Sequence, residues 1–450
     1  MNKNDEIILK IDGTSSDGNG VGRYNGMAVF VPLTTEGDEA RVKIVKVKKT
    51  YAYGKLIELI TPSPDRVDSD CPVFARCGGC VYRHISYAKE CEIKRNKVQN
   101  NMARIGGFAQ TSQPIIAAES PCRYRNKAQY PVSGTGATGF YAVHSHRIIE
   151  SDTCLLQPEI FEDICRVFTR WIKQYGISVY NEETGRGLVR HLYIRRADKT
   201  GEIMATVIIN GDSLPYAAEL TDALLEALGK QLCSLQININ KRDTNVILGD
   251  KCRTIYGQDY ITDILCGVKI RISPLSFYQV NRDMAEKLYE KAREYARPEG
   301  KTVLDLYCGA GTIGLSMARE AKRIIGVEIV PEAIEDAKIN AKENGINNAE
   351  FICMDASDAA KQLSTRGLAP DTVIVDPPRK GCSEELLGTI ANDFRPERLV
   401  YVSCDSATLA RDCAHLRELG YDLIEYTPVD MFPSTAHVEC CALLCRVAVI

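Results

Sequence analysis

Residues 305–315 read D-L-Y-C-G-A-G-T-I-G-L. The apolar run before it, residues 302–306, has the length and composition of a strand, and residues 313–320 after it have helical spacing. The glycine-rich piece is therefore a strand-to-helix turn in which Gly309 and Gly311 let the backbone approach a ligand closely. The alternation extends outward in both directions. A helix is expected at 281–296, then a strand at 324–327, a helix at 331–344, and strands at 350–353, 372–375 and 399–402. This is the rhythm of a doubly wound α/β sheet.

Glu328 stands seventeen residues past Gly311, at the end of the second strand, where a carboxylate accepts both ribose hydroxyls of a nucleoside. Asp355 follows the third strand and is placed for an adenine amino group. Glycine spacing alone suits a nicotinamide cofactor equally well. The fourth strand separates the two, because it ends in V-D-P-P-R-K-G at residues 375–381. An Asp-Pro-Pro at a strand's carboxyl end resembles the pattern of nucleic-acid methyltransferases that use S-adenosylmethionine, with Asp376 and a rigid backbone beside the target base.

The next strand ends in Y-V-S-C-D, which puts Cys404 at the sheet's carboxyl edge, the usual place for ligands in such folds. Carbon 5 of a uracil is a poor nucleophile. Addition of a thiolate to carbon 6 turns the ring into an enolate whose carbon 5 attacks a sulfonium methyl. The adduct then needs a general base for the carbon-5 proton. The stretch M-F-P-S-T-A-H-V-E-C-C at 431–441 offers Glu439, with His437 as a lesser candidate. One cysteine among eighteen is ordinarily structural, and a glutamate near a terminus is ordinarily solvated. Their joint position after a complete cofactor series sets these two apart.

Residues 6–62 consist of short apolar strands broken by Gly, Asp and Asn, as in D-G-N-G-V-G-R at 17–23, and read as a small β-barrel. Residues 41–55 hold six basic residues and no acidic one, with Tyr51 and Tyr53 among them. That composition suits a surface tracking a phosphate backbone, and equally a solvated strand face. After a T-P-S-P-D linker at 61–65 come Cys71, Cys77 and Cys80, with Gly78 and Gly79 letting the chain fold tightly around an inorganic centre. Cys91, Cys122 and Cys154 compete for a fourth ligand position, and thiolates hold either zinc or an iron–sulfur cluster. A basic helix is expected at 86–105, and strands at 188–195 and 203–209 in a mixed region reaching residue 273.

This series is specific. The chain resembles the bacterial 23S rRNA (uracil-5-)-methyltransferases over nearly all of its length, through S-F-Y-Q-V-N at 276–281, D-L-Y-C-G-A-G-T, D-P-P-R, S-C-D and H-V-E. The resemblance implies three domains. Residues 1–62 would form an OB-like TRAM β-barrel that binds RNA. Residues 63–273 would form a mixed α+β central domain with an iron–sulfur cluster, residues 86–120 being free to pack with the catalytic part. Residues 274–450 would form a Rossmann-like, S-adenosylmethionine-dependent methyltransferase domain. It also implies that Gln279, Tyr307, Thr312, Glu328, Asp355 and Asp376 surround cofactor and target base, that Cys404 is the nucleophile, and that Glu439 is the base. A 4Fe-4S cluster would be held by Cys71, Cys77, Cys80 and Cys154, the last within S-D-T-C-L-L-Q at 151–157. Methyl transfer to uracil needs no electrons, so that cluster is expected to be structural. One departure is S-C-D-S in place of the S-C-N-P of some members, just after Cys404.

The net charge of −3 gives no global basic excess, so RNA must be met by local patches. Arg123, Arg125 and Lys127 form one candidate patch for phosphates, and Arg186, Arg190, Arg195 and Arg196 another, though a solvated face explains each equally well. With no basic-then-apolar start and no apolar stretch able to cross a bilayer, a cytoplasmic protein without membrane or DNA partners is expected, its cysteines mostly buried thiols. Three other functions compete with the rRNA reading. They are a tRNA uracil-5-methyltransferase, an amine methyltransferase that has no use for Cys404, and a non-catalytic RNA-binding ribosome-assembly factor that retains the fold.

Overall fold

The computed structural model describes residues 1–447. It divides into two compact units, one of residues 1–97, 140–149 and 432–438, and the other of residues 98–139, 150–431 and 439 onward.

In the first unit, β1 (Glu6–Thr14), β2 (Gly20–Tyr24), β3 (Met27–Val31), β4 (Glu39–Val47) and β5 (Tyr51–Thr61) close into a barrel in the order β1-β2-β3-β5-β4. The two-residue period of a strand sends every second side chain inward. Ile7, Leu9 and Ile11 therefore meet Val29, Val31, Ala40, Val42, Ile44 and Ala52 in one apolar core. Outside that core Phe30, Tyr51 and Tyr53 cluster with ring centroids 5.6–5.8 Å apart, and Lys46, Lys48, Lys49 and Lys55 are exposed. Arg41 is engaged by Glu58 on the neighbouring strand. The chain leaving the barrel is pinned by Asp38, whose fully buried carboxylate accepts the N–H groups of Thr35 and Ser63 and two guanidinium bonds from Arg66. Burial alone would raise that carboxyl, but the Arg66 and backbone donors outweigh it and hold it below its ordinary range.

Helix α1 (Tyr87–Arg104) fills the place expected for the basic helix, and the division between the units falls inside it. Two of its charges are not on a solvated face. Lys94 and Glu90 form a buried pair at 2.6 Å; Lys94 also donates to Phe432 O, and Glu90 accepts the Ser434 N–H. Residues 432–438 are thereby tied down inside the first unit.

In the second unit, β6 (Lys127–Pro131) starts a five-stranded sheet. Along the chain a short ladder of β7 (Gly139–Tyr141) and β8 (Ile148–Glu150), whose residues 140–149 belong to the first unit, precedes α2 (Ile160–Gln174), β9 (Val189–Arg196), β10 (Ile203–Ile209), α3 (Ala217–Leu228), β11 (Leu232–Ile239) and β12 (Lys251–Gly257). The sheet order is β12-β11-β10-β9-β6, and β10, I-M-A-T-V-I-I, is buried throughout, as a central strand must be. A hairpin of β13 (Ile261–Leu265) and β14 (Val268–Ile272) leads to α4 (Arg282–Ala296), whose first turn is capped by the Asn281 side chain.

The predicted alternation follows as β15 (Thr302–Leu306), α5 (Thr312–Met317), β16 (Arg323–Glu328), α6 (Pro331–Glu343), β17 (Ala349–Cys353), α7 (Ala356–Thr365), β18 (Thr372–Val375), α8 (Glu384–Thr389), β19 (Arg398–Ser403), α9 (Ser406–Glu418), β20 (Tyr421–Val429) and β21 (Glu439–Arg446). Seven strands pair in the order β17-β16-β15-β18-β19-β21-β20, the first five parallel and β21 antiparallel to both neighbours. Helix α5 stops three residues short of the expected end because the Glu320 and Ala321 N–H groups both return to Met317 O. The last two strands were not anticipated. The cysteines and the flanking glutamate of β21 mask a run that is buried from Glu439 to Leu444. Among the described residues no helix is long and apolar enough to cross a membrane.

Candidate active site

The turn after β15 holds three residues in the left-handed region: Tyr307 at φ 66°, Gly309 at 55° and Gly311 at 77°. A side chain at Gly311 would meet the Phe351 ring at 2.9 Å, whereas nothing lies within 4 Å of the place where a Gly309 side chain would begin. That open face is where a ligand can reach the backbone. Glu328 accepts the Gly309 N–H with one oxygen and the Ile329 and Val330 N–H groups with the other, which fixes its carboxylate at the turn. Asp305, not singled out from the sequence although it opens the quoted stretch, accepts the Gly314 N–H at 2.9 Å with Oδ2. Its Oδ1 is buried without a hydrogen-bond partner, and burial pushes the carboxyl up to about 7. An orphaned acceptor of this kind is satisfied by a ligand donor or a water.

The other predicted cofactor residues gather around the same turn. Thr312 donates to the Tyr289 hydroxyl at 3.3 Å, and that hydroxyl is also hydrogen-bonded to the Gln279 side chain, so Tyr289 joins two motifs far apart in sequence. Tyr307 and Asp355 line one cavity of about 390 Å³ with Lys380, Cys382 and His415. Asp355 also caps α7 by accepting the Ser357 N–H at 2.9 Å.

Asp376, Cys404 and Glu439 converge through strand register. The last pair between β19 and β21 is Ser403 with Cys440, so one step further the antiparallel register sets Cys404 opposite Glu439. Asp376 directly follows the adjoining parallel strand β18. Glu439 is 5% exposed, and burial, reinforced by Asp376, pushes its carboxyl up to about 8. Desolvation pushes Asp376 up to about 7. The Cys404 thiol is raised by burial and then by the two carboxylates. Arg379 opposes the rise at both Cys404 and Glu439. It stands in the quoted D-P-P-R motif, yet only the fold reveals that its charge acts on both groups.

His437 lies in the first unit, its ring edge-on to Phe432 at 6.2 Å. Cys71, Cys77 and Cys80 are also in that unit, whereas Cys154 belongs to the second. Cys71 and Cys77 pack against Val73, Ala142 and Ile149, and the Gly79 N–H donates to Cys77 Sγ at 3.4 Å. Burial raises the Cys77 thiol, helped by Cys71. Among the described residues no group of three or more His, Cys, Asp or Glu side chains is arranged to hold a metal ion.

Three of the arginines offered as phosphate contacts are committed internally. Arg190 donates to Asn240 O and Arg242 O, Arg195 to Ser273 O and Ser276 O, and Arg123 to Cys154 O, Gln157 O and Glu162. The reason is local. Loop carbonyls need donors, and a guanidinium fork satisfies two at once.

Residues 86–447 match the model of the tRNA (Uracil-5-)-methyltransferase family, and residues 2–57 match that of the TRAM domain. RNA methyltransferases of Clostridium acetobutylicum and Halalkalibacterium halodurans are each 44% identical to the chain, over 454 and 449 residues, covering 99% of it and 98% of each relative. A crystal structure of Pyrococcus abyssi tRNA (uracil-54, C5)-methyltransferase in complex with S-adenosyl-L-homocysteine superposes with a TM-score of 0.82 at 28% identity, covering 97% of this chain and 100% of that one. With a family model spanning most of its length and a TRAM barrel at its start, the chain belongs to the tRNA (uracil-5-)-methyltransferase family of RNA methyltransferases.

Proposed function

We propose that the protein methylates carbon 5 of a uridine in RNA, with S-adenosylmethionine as methyl donor, Cys404 as nucleophile and Glu439 as general base. The observation that carries this reading is the placement of Cys404 and Glu439 one step beyond the last β19–β21 pair and beside Asp376, at the carboxyl edge of the sheet that bears the glycine turn. The cofactor supplies a methyl group on a sulfonium. Its fit rests on the open face of Gly309, the oriented Glu328 carboxylate and the unpartnered Asp305 oxygen, with Tyr307, Thr312 and Gln279 around the turn and Asp355 toward the adenine.

Each chain residue then has a balanced step. The Cys404 thiolate bonds to carbon 6 and the carbon 5–carbon 6 double bond opens, giving an enolate. Carbon 5 takes the methyl as the sulfonium–carbon bond breaks. Glu439 removes the carbon-5 proton, the double bond re-forms, and the sulfur leaves carbon 6. Arg379 favours the anionic forms of both Cys404 and Glu439, and Asp376 lies where a uracil edge can be read. The base is normally stacked, so the uridine is taken from a loop or flipped out.

Ribosomal RNA is the substrate favoured by the barrel and cysteine-loop organisation, with residues 1–62 contacting RNA, 63–273 as the central domain and 274–450 performing the chemistry. The cytoplasm is the compartment. Likeness to a tRNA enzyme over nearly the whole chain supports transfer RNA as the second reading. Incubation with methyl-labelled S-adenosylmethionine and unmodified 23S rRNA or tRNA, followed by nucleoside analysis, decides between them. Label in 5-methyluridine from rRNA is expected. Label confined to tRNA moves the substrate, and label in another nucleoside overturns the chemistry.

The 4Fe-4S cluster on Cys71, Cys77, Cys80 and Cys154 remains part of the proposal on the strength of the cysteine spacing, the closeness of Cys71 to Cys77 and the Gly79 N–H aimed at sulfur. Among the described residues no side-chain group is arranged to hold a metal ion, and no catalytic step passes through a cluster. Anaerobically purified protein is expected to contain about four irons and an equal amount of acid-labile sulfide per chain. Stoichiometric zinc, or no metal at all, removes the cluster from the proposal.

A further inference from the structure

Asp412 lies on α9, the helix that follows β19 and Cys404, and is 2% exposed. Its carboxylate collects donors from separate segments of the second unit. Oδ2 accepts the Tyr401 hydroxyl at 2.6 Å and the Cys382 N–H at 2.9 Å, while Oδ1 accepts Arg411 at 2.8 Å. Arg411 also turns back to donate to Lys380 O at 2.9 Å. Lys380 and Cys382 belong to the turn that leaves β18, the turn that bears Asp376 and Arg379. Tyr401 is on β19, three residues before Cys404. A buried carboxylate is costly unless its donors converge, and here they do.

The turn is seated on that carboxylate. Gly381 has φ 78°, and a side chain there would come within 2.5 Å of Asp412 Oδ2 and 2.6 Å of the Arg411 guanidinium. The Cys382 thiol shares hydrogen bonds with the Tyr401 and Tyr307 hydroxyls, which extends the network to the glycine turn. The turn after β18, strand β19 and helix α9 therefore meet at the Asp412 carboxylate, and Cys382 passes the network on to the glycine turn.

We propose that Asp412 is a positioning residue for methyl transfer, clamping residues 376–382 against β19 and α9 so that Arg379 and Asp376 keep a fixed place relative to Cys404. The proposal rests on the reading of Cys404 as nucleophile. Arg379 is exposed and reaches Cys404 and Glu439 only through its charge, so its effect depends on how well its turn is held. Without the clamp the left-handed Gly381 is a hinge, Arg379 drifts, and the thiolate loses the positive charge that opposes its raised pKa.

The test uses the full chain with S-adenosylmethionine and unmodified 23S rRNA and tRNA. It measures kcat, KM for S-adenosylmethionine, the pH profile of kcat and thermal unfolding. Asp412→Ala is expected to lower kcat by about 100-fold, the order expected for misplaced catalytic groups, with KM near its wild-type value. The rising limb of its pH profile moves to higher pH. Asp412→Asn keeps acceptors for Cys382 and Tyr401 and recovers most of kcat. A folded Asp412→Ala with wild-type kcat and pH profile, or an Asn variant as damaged as the Ala variant, overturns the positioning role. If Asp412→Ala does not fold, Gly381→Ala and Tyr401→Phe carry the test, and unchanged kcat and pH profile in both also overturn it. Cys404→Ala assayed alongside separates the two layers. Methylation by that variant brings down the underlying reading, whereas an inactive Cys404→Ala beside an unaffected Asp412→Ala brings down the clamp alone.

Discussion

Cys404→Ala is expected to lose methylation of every RNA substrate, by about 10⁴-fold or more, while still binding S-adenosylmethionine. Both halves of that result follow from position. The groups around the glycine turn, Glu328, Thr312 and Asp305, make their hydrogen bonds with the backbone N–H groups of Gly309, Ile329, Val330 and Gly314 and with Tyr289, and none of these involves Cys404. Removing the thiol therefore leaves the cofactor turn intact. Without it, carbon 5 has no route to sufficient nucleophilicity, and no other described cysteine follows β19 opposite Glu439. The measurement is label transfer to RNA alongside equilibrium binding of S-adenosylmethionine. RNA containing 5-fluorouridine adds a second readout, because a fluorine at carbon 5 cannot leave as a proton does, so wild type is trapped as a covalent complex that survives denaturation and Cys404→Ala is not. Retained methylation in the variant would remove the covalent route and favour direct attack by a substrate nitrogen.

The part of this architecture legible in the sequence is the part governed by local periodicity. The strand–turn–helix at Asp305, the carboxylate at Glu328 and the D-P-P turn at Asp376 each announce themselves within about ten residues, because short parallel strands and glycine turns have local signatures. What stayed hidden depends on pairing. That Glu439 heads an antiparallel strand next to Cys404, that Tyr289 bridges Gln279 to Thr312, and that Arg379 reaches both Cys404 and Glu439 are consequences of register and long-range packing. The basic residues fared differently. Arg190 and Arg195 read equally as phosphate contacts or as a solvated face, because sequence shows charge but not the loop carbonyls that consume it. Likewise the Lys94 of a helix read as basic is buried against Glu90. The cysteine loop is legible only as spacing: Cys71 and Cys77 pack against the same small apolar cluster, and Cys154 belongs to the other compact unit.

Glu439→Gln is expected to do something different from Cys404→Ala: methyl transfer proceeds once, and the RNA stays attached. The base acts after the methyl has moved, so its loss blocks only the removal of the carbon-5 proton and the departure of sulfur. Turnover should fall by about 10²–10⁴-fold. A protein–RNA species carrying the labelled methyl should accumulate to one equivalent on a denaturing gel. The pH dependence of wild type follows from the same residue. Burial and Asp376 hold the Glu439 carboxyl up to about 8, and its active form is the anion. Release therefore speeds up roughly tenfold per pH unit on approaching 8 from below, then levels. Cys404, also raised, steepens the same limb, since its active form is the thiolate. Stability runs the opposite way. A carboxyl raised from 4.5 to about 8 on folding favours the folded state while protonated, and that contribution is lost as pH rises through 8. Glutamine mimics the protonated form, so Glu439→Gln should melt close to wild type at pH 5 and higher than wild type at pH 9. A variant that turns over normally shows that Glu439 is not the base, and one without a melting advantage at pH 9 shows that its carboxyl is not desolvated as its 5% exposure requires.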